Sequence, residues 1–364
     1  MAITSYLPLL ELTRGFSSSG EQTVESVHFG AAAVVDVKGR LVAWIGNQQT
    51  ITYLRSTAKP FQALPFLERN GKSAYNLTTR EIALICASHS GTDAHVKVVQ
   101  GIQQKTGVHE SDLLCGTHPP IHTETANALR ERGEALSQNR HNCSGKHTGM
   151  LAFCRMENQP SENYIDPEHP IQKAILKTFA EMCDLTVDQV SVGIDGCSAP
   201  NFAVPLYNAA LAYARLCDPE NGKVTISERA DACHTITAAM TSHPDMVGGP
   251  GRFDTDVMIV AGGRIVSKGG AEGYQGLGLL PGALGKGSPA LGVAIKISDG
   301  DQKDRATHAV SLEVLRQLGA LSSGDVMQLN KYGPTFPIHN WRKLTVGEAR
   351  PCFKLNQENG GPSA

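Results

Sequence analysis

The sequence predicts an α/β (α+β) protein: an antiparallel sheet built from both chain ends, with helices packed on it and a mainly helical middle. Two observations carry this. Strand-like apolar runs lie near the two ends of the chain, between residues 24 and 46 and again between 256 and 297. Between them, residues 57–245 show helix-period apolar patterning broken by capping residues and glycines. Strands at the two ends and helices between are most simply joined by one sheet assembled from both ends.

The elements follow in order. Residues 1–23 read as an edge or poorly ordered segment. Val27–Asp36 and Leu41–Gly46 flank a Lys38-Gly39 turn and predict a β-hairpin. Helices are expected over 57–69, 78–86, 93–106, 122–136, 146–157, 168–183, 200–217 and 227–242. Asp256–Ala261 and Arg264–Lys268, joined by Gly262-Gly263, read as a second hairpin. Gly276–Leu280 and Ala290–Ile297 read as further strands. Asp301–Leu318 carries Ala309, Leu312, Leu315 and Leu318 on one helical stripe. The polar tail Gln357–Ala364 is expected to fray. The expected division is a sheet region of 24–56 plus 246–345 and a helical region of 57–245 carrying most of the site. The two are intimately joined and compatible with a single domain.

Composition narrows the function classes. A chain of 364 residues, 41% hydrophobic and 19% charged, suits a globular enzyme. A net charge of −2 provides no field for nucleic acid or an anionic membrane. The apolar runs are too short to span a bilayer. Nine cysteines in no disulfide-scaffold spacing, without a basic segment leading into an apolar one, point to the cytoplasm.

Four stretches carry chemistry. Ser56 and Lys59 form a Ser-x-x-Lys pair, and residues three apart on a helix stand about 5–6 Å apart on one face. A buried lysine, or one beside a second cation, can act as base toward the serine. Pro60 lacks an N–H and is tolerated only near a helix start, which puts Ser56 there. Taken alone, the pair also fits a solvated helix start. Ala87-Ser88-His89-Ser90-Gly91 follows an apolar run. Asn142-Cys143-Ser144-Gly145-Lys146-His147 gathers a thiol, an amine and an imidazole. Asp195-Gly196-Cys197 opens a turn beyond Val190-Ser191-Val192. From the residues alone, Ser88 equally fits a loop hydroxyl, and Cys143 and Cys197 equally fit buried free thiols. Cys115, His118 and His122 have metal-like spacing, but Pro119-Pro120 between the histidines favours a structural turn. Gly269–Gly287 lacks the Gly-Lys-Ser/Thr of a phosphate loop.

With Cys115-Gly116-Thr117-His118-Pro119, these stretches resemble the type 3, Rhizobium-type asparaginases (asparaginase II family) from Val24 to about Leu318. The resemblance implies a serine β-lactamase/glutaminase-like architecture and an L-asparagine amidohydrolase that releases aspartate and ammonia. It implies two Ser–Lys pairs, Ser56–Lys59 and Ser88–Lys268, with Ser56 favoured as nucleophile because one helix holds its lysine. It implies a zinc ion on Cys143, Lys146 and Cys197 that need not generate the nucleophile, and a homodimer. Adjacency to these motifs suggests Arg55 for a substrate carboxylate, Asp195 for its ammonium and His147 as an orienting group, with Arg252 a weaker candidate. The alternatives are a glutaminase, another Ser-x-x-Lys amidohydrolase such as a β-lactam or peptide hydrolase, and a zinc-bound regulatory protein without turnover.

Overall fold

A computed structural model of the protein describes residues 6–15 and 22–358. The strands are β1 (Leu7–Arg14), β2 (Thr23–Asp36), β3 (Leu41–Ile45), β4 (Ile51–Tyr53), β5 (Ser191–Ile194), β6 (Pro200–Pro205), β7 (Ile265–Gly270), β8 (Tyr274–Leu279), β9 (Leu291–Ile297), β10 (Phe336–His339), β11 (Thr345–Pro351) and β12 (Asn356–Gln357). The helices are α1 (Lys59–Glu68), α2 (Gly71–Ala74), α3 (Thr79–Ile85), α4 (Asp93–Thr106), α5 (Thr123–Glu131), α6 (Ser144–Met156), α7 (Pro170–Met182), α8 (Leu206–Cys217), α9 (Ser227–Ser242), α10 (Pro244–Val247), α11 (Phe253–Val260), α12 (Thr307–Gln317) and α13 (Ser323–Gln328).

One antiparallel sheet runs β10-β11-β1-β2-β9-β8-β7, with β3 pairing β2 and β12 pairing β3. It is built from both chain ends, as the sequence predicts, and the helices lie mainly between them. Period-two alternation separates two cores. Ala31, Ala33 and Val35 of β2 join α8 and the helical region, whereas Ala32 and Val34 join α12 on the opposite face. Close packing of α8 depends on a missing side chain: a Cβ on Gly292 of β9 would stand 1.7 Å from the Ala210 carbonyl oxygen. A second, three-stranded sheet, β4-β6-β5, sits beside the start of α1.

Several expectations change. Residues 7–14 form not an edge but β1, held between β11 and β2. The helix expected over 200–217 begins only at Leu206; Pro200–Pro205 is a strand bracketed by two prolines. The helix expected from 122 stops at Glu131, before Gly133 at φ 65°. Residues 256–261 belong to α11 rather than a hairpin. A short apolar run does not distinguish a buried strand from a buried helix, and β7 pairs instead with β8. The last long helix starts at Thr307, where the Asp301 carboxylate accepts the backbone N–H groups of Ala306 and Thr307 at 2.9 and 2.7 Å. The frayed tail was expected at 357–364; of it, Gln357 pairs with Ala43, and 359–364 lie outside the described residues. Among the described residues no helix is long and apolar enough to cross a membrane.

Candidate active site

β7 is the last strand of the large sheet, and its end faces the turn that leads into α1. Gly270 makes this approach possible: a Cβ there would lie 2.6 Å from the Leu54 carbonyl oxygen. Residues Arg55–Ala58 form a 3₁₀ turn before α1, and Arg55 takes a left-handed φ of 53°. A non-glycine residue held there carries backbone strain of the kind that clusters at functional sites. The Asn201 side-chain carbonyl fixes the turn by accepting the Arg55 backbone N–H at 3.0 Å.

A cleft of about 390 Å³ opens between this turn, β7 and the start of α12, lined among others by Ser56, Ser88, Asn142, Arg252, Gly270 and His308. Both candidate serines therefore face one space. Beneath them lie two buried amines, Lys59 at 1% exposure and Lys268 at 0%. Lys59 Nζ lies 2.8 Å from Ser88 Oγ and donates to the Ala87 carbonyl at 2.6 Å. Lys268 donates to the Gly269 carbonyl at 2.6 Å and stands 3.8 Å from an Asp254 carboxylate oxygen. The hydrogen bonding differs from the expected pairing. Among the described residues no hydrogen bond joins Ser56 to Lys59 or Ser88 to Lys268; Lys59 reaches Ser88 instead. A fully buried ammonium or amine needs partners, and the end of α3 offers Lys59 two.

Burial pushes the Lys268 amine down to about 7, helped by the Lys59 and Arg252 charges and opposed by Asp254. Asp254 resists its own burial. The Lys268 charge, the Gly269 N–H at 2.8 Å, the Ser267 hydroxyl at 2.7 Å and the Gln275 amide at 3.1 Å keep its carboxyl below the ordinary range.

A second cluster adjoins the first. Lys146 Nζ lies 2.9 Å from Cys197 Sγ, and the Cys143 thiol is held well below its usual range by a hydrogen bond with Cys197, against burial, with Lys59 and Lys146 adding to the effect. Although burial opposes it, the two sulfurs keep the Lys146 amine charged. His147 Nδ1 lies 2.6 Å from the Tyr164 hydroxyl, whose oxygen already accepts the Leu114 N–H at 2.9 Å. This network assigns the hydroxyl proton to Nδ1 and the imidazole proton to Nε2. Nε2 is buried with no hydrogen-bond partner among the described residues. Two thiols and an amine drawn together are a donor set that fits zinc. The candidate triad Cys115, His118 and His122 does not converge in this way. The thiol of Cys115 bonds backbone carbonyls, His118 accepts the Asn142 N–H at 3.2 Å, and His122 Nδ1 lies 2.9 Å from the Thr125 hydroxyl. Among the described residues no group of three or more His, Cys, Asp or Glu side chains is arranged to hold a metal.

The sequence profile of the L-asparaginase II family matches residues 17–351. The chain belongs to the L-asparaginase II family. It is therefore an asparaginase-type amidohydrolase acting on a small molecule. A search of curated proteins returns no match. Among solved structures, the Bacillus subtilis glutaminase YbgJ, in covalent complex with 5-oxo-L-norleucine, aligns at 13% identity over 81% of this chain and 89% of that one, with a TM-score of 0.39. Native Mglu aligns at 15% identity over 81% of this chain and 66% of its own, with a TM-score of 0.38.

In this L-asparaginase II chain, Arg55 and Asp195 face each other, Arg55 Nε donating to Asp195 Oδ1 at 2.7 Å. Against burial, Lys146 and Arg55 hold the Asp195 carboxyl below its usual range. This ion pair ties the Ser56 turn to the turn that carries Cys197. The sequence does not single out Asp254, because the apolar run after it fits a strand as well as the helix that α11 forms. The Arg252-Phe253-Asp254 run before an apolar stretch was the available signal, since acids favour a helix's first turn.

Proposed function

We propose that the protein is an L-asparagine amidohydrolase in which Ser56 is the nucleophile. The observation that carries this reading is that Ser56 and Ser88 share one cleft while Lys59 reaches Ser88 from below at 2.8 Å. Ser56 Oγ attacks the side-chain amide carbon, and its proton passes by way of the Ser88 hydroxyl to the Lys59 amine. The tetrahedral species collapses as the nitrogen takes that proton back, and ammonia leaves. An aspartyl ester on Ser56 remains. Water adds to it with the same groups acting in reverse, aspartate departs and the hydroxyl of Ser56 is restored. Splitting amide cleavage into two steps is what a covalent nucleophile contributes.

Lys268, whose amine burial pushes down to about 7, keeps a second full charge out of the floor of the cleft above that pH. Cys143, Lys146 and Cys197 would hold a zinc ion. When bound, zinc supplies a Lewis-acid anchor for a substrate oxygen. Lys146 must give up its proton to become a ligand, so loading is coupled to proton release. A homodimer and the cytoplasm complete the proposal.

The test is ammonia release from L-asparagine and L-glutamine side by side. The reading expects faster release from asparagine and at least about a hundredfold loss in Ser56→Ala, the lower end of what catalytic groups contribute. Faster release from glutamine moves the assignment to a glutaminase. Zinc content with no release from either amide moves it to a non-catalytic zinc protein.

A further inference from the structure

Arg55 and Asp195 pair with each other, and the cleft offers a second guanidinium and carboxylate. Arg252 lines it, on the residue that opens α11. The acids nearest in the chain are already engaged: Asp254 by Lys268, and Asp256 by Lys331 at 2.5 Å and the Tyr332 hydroxyl at 2.8 Å. Among the described residues no ion pair or side-chain hydrogen bond engages the Arg252 guanidinium. Its stem is seated by glycine, since a Cβ on Gly248 would lie 3.0 Å from Arg252 Cβ. Asp304 lines the same cleft, exposed, in a left-handed turn at φ 53° that is fixed by its N–H donating to the Asp301 carbonyl at 2.8 Å. Its carboxylate has no partner among the described residues. His308, in the same lining, presents its ring flat on Phe253, with centroids 4.5 Å apart, and forms an apolar-backed wall.

An unpaired guanidinium and an unpaired carboxylate lining one cleft with a candidate nucleophile match a zwitterion. We propose that Arg252 binds the α-carboxylate and Asp304 the α-ammonium of the amino acid substrate, with Arg55–Asp195 acting as a strut of the site. The inference rests on the asparaginase reading above. It would make the enzyme selective for free amino acid amides, because a peptide-bound residue has neither charge to offer.

Inhibition by three product-like ligands tests it on the full-length protein. L-Aspartate carries both α-groups, β-alanine lacks the α-carboxylate, and succinate lacks the α-ammonium. The wild type should bind L-aspartate more tightly than either. Arg252→Met should abolish its preference over β-alanine, a loss of about 10- to 100-fold in aspartate affinity from one charge-assisted contact, and Arg252→Lys should restore part of it. Asp304→Asn should abolish the preference over succinate alone. A merely structural role would weaken all three ligands together, and that result overturns the proposal. So does a wild-type preference retained in Arg252→Met, or lost instead in Arg55→Met. A wild type that neither releases ammonia from asparagine nor binds aspartate overturns the asparaginase reading along with it. A wild type that does both, while its variants keep their preferences, overturns this inference alone.

Discussion

The Lys59 amine lies 2.8 Å from the hydroxyl of Ser88, a residue 29 positions away, rather than bonding the serine three positions before it. The Ser-x-x-Lys spacing therefore delivers a lysine to the cleft without fixing which hydroxyl it serves. In the proposed relay, Ser88→Ala leaves a nucleophile but breaks the path from Ser56 to Lys59. Turnover should fall about 10²- to 10⁴-fold with little change in apparent asparagine affinity. Lys59→Met should do the same and stay folded, since an unbranched apolar chain of similar length takes a buried place. Steady-state kinetics with a thermal melt as control checks both.

Lys268 sets a pH dependence. Its folded pKa, pushed down to about 7, lies below the ordinary value of 10.5. Between these values the unfolded chain holds a proton that the folded one does not, so stability rises with pH from about 7 to about 10.5. Below 7 the folded protein carries the full cost of a buried ammonium. Lys268→Met should therefore gain stability over the wild type most at pH 6 and progressively less toward pH 10. Denaturation midpoints across that range check the sign. In the proposed relay a charged Lys268 adds a second cation beside the groups that move the proton, so turnover should rise through about pH 7, and Lys268→Arg should flatten the rise or abolish activity.

The thiol cluster predicts a metal dependence of a particular kind. Cys143→Ala and Cys197→Ala should each lower zinc content, and so should chelation. If zinc anchors substrate rather than making the nucleophile, apparent asparagine affinity should fall more than turnover, the pattern of lost uniform binding. Elemental analysis paired with kinetics distinguishes this from a zinc-generated hydroxide, which would lose turnover outright on chelation.

Gly145 links the two clusters mechanically. It lies between Cys143 and Lys146 on α6, and a Cβ there would stand 2.3 Å from the Leu84 carbonyl oxygen of α3, the helix that leads to Ser88. Gly145→Ala should cost about 1–3 kcal/mol of stability through overpacking. It should also reduce activity beyond what the lost stability explains. Chemical denaturation beside specific activity measures the two effects.

How far the sequence goes follows from these same residues. The β2–β3 hairpin is legible because two apolar runs, 31–35 and 41–45, flank the Lys38-Gly39 turn. The segment 253–260 is not, because eight residues rich in valine, isoleucine and methionine satisfy a strand and a buried helix equally. That ambiguity concealed Asp254 and its place beside Lys268. Local spacing brought out Ser56, Lys59, Cys143 and Lys146, whose neighbours are set by one turn of chain. The Lys59–Ser88 bond, the Lys146–Cys197 contact and the Arg55–Asp195 pair depend on tertiary approach, 29, 51 and 140 residues apart, which no periodicity encodes.

The most direct test of the central claim is ammonia release from L-asparagine by the wild type, Ser56→Ala and Ser88→Ala, each shown folded by its melting transition. The serine-nucleophile account predicts turnover by the wild type, none detectable in Ser56→Ala, and a slow residual rate in Ser88→Ala. Near wild-type turnover by a folded Ser56→Ala protein would contradict it.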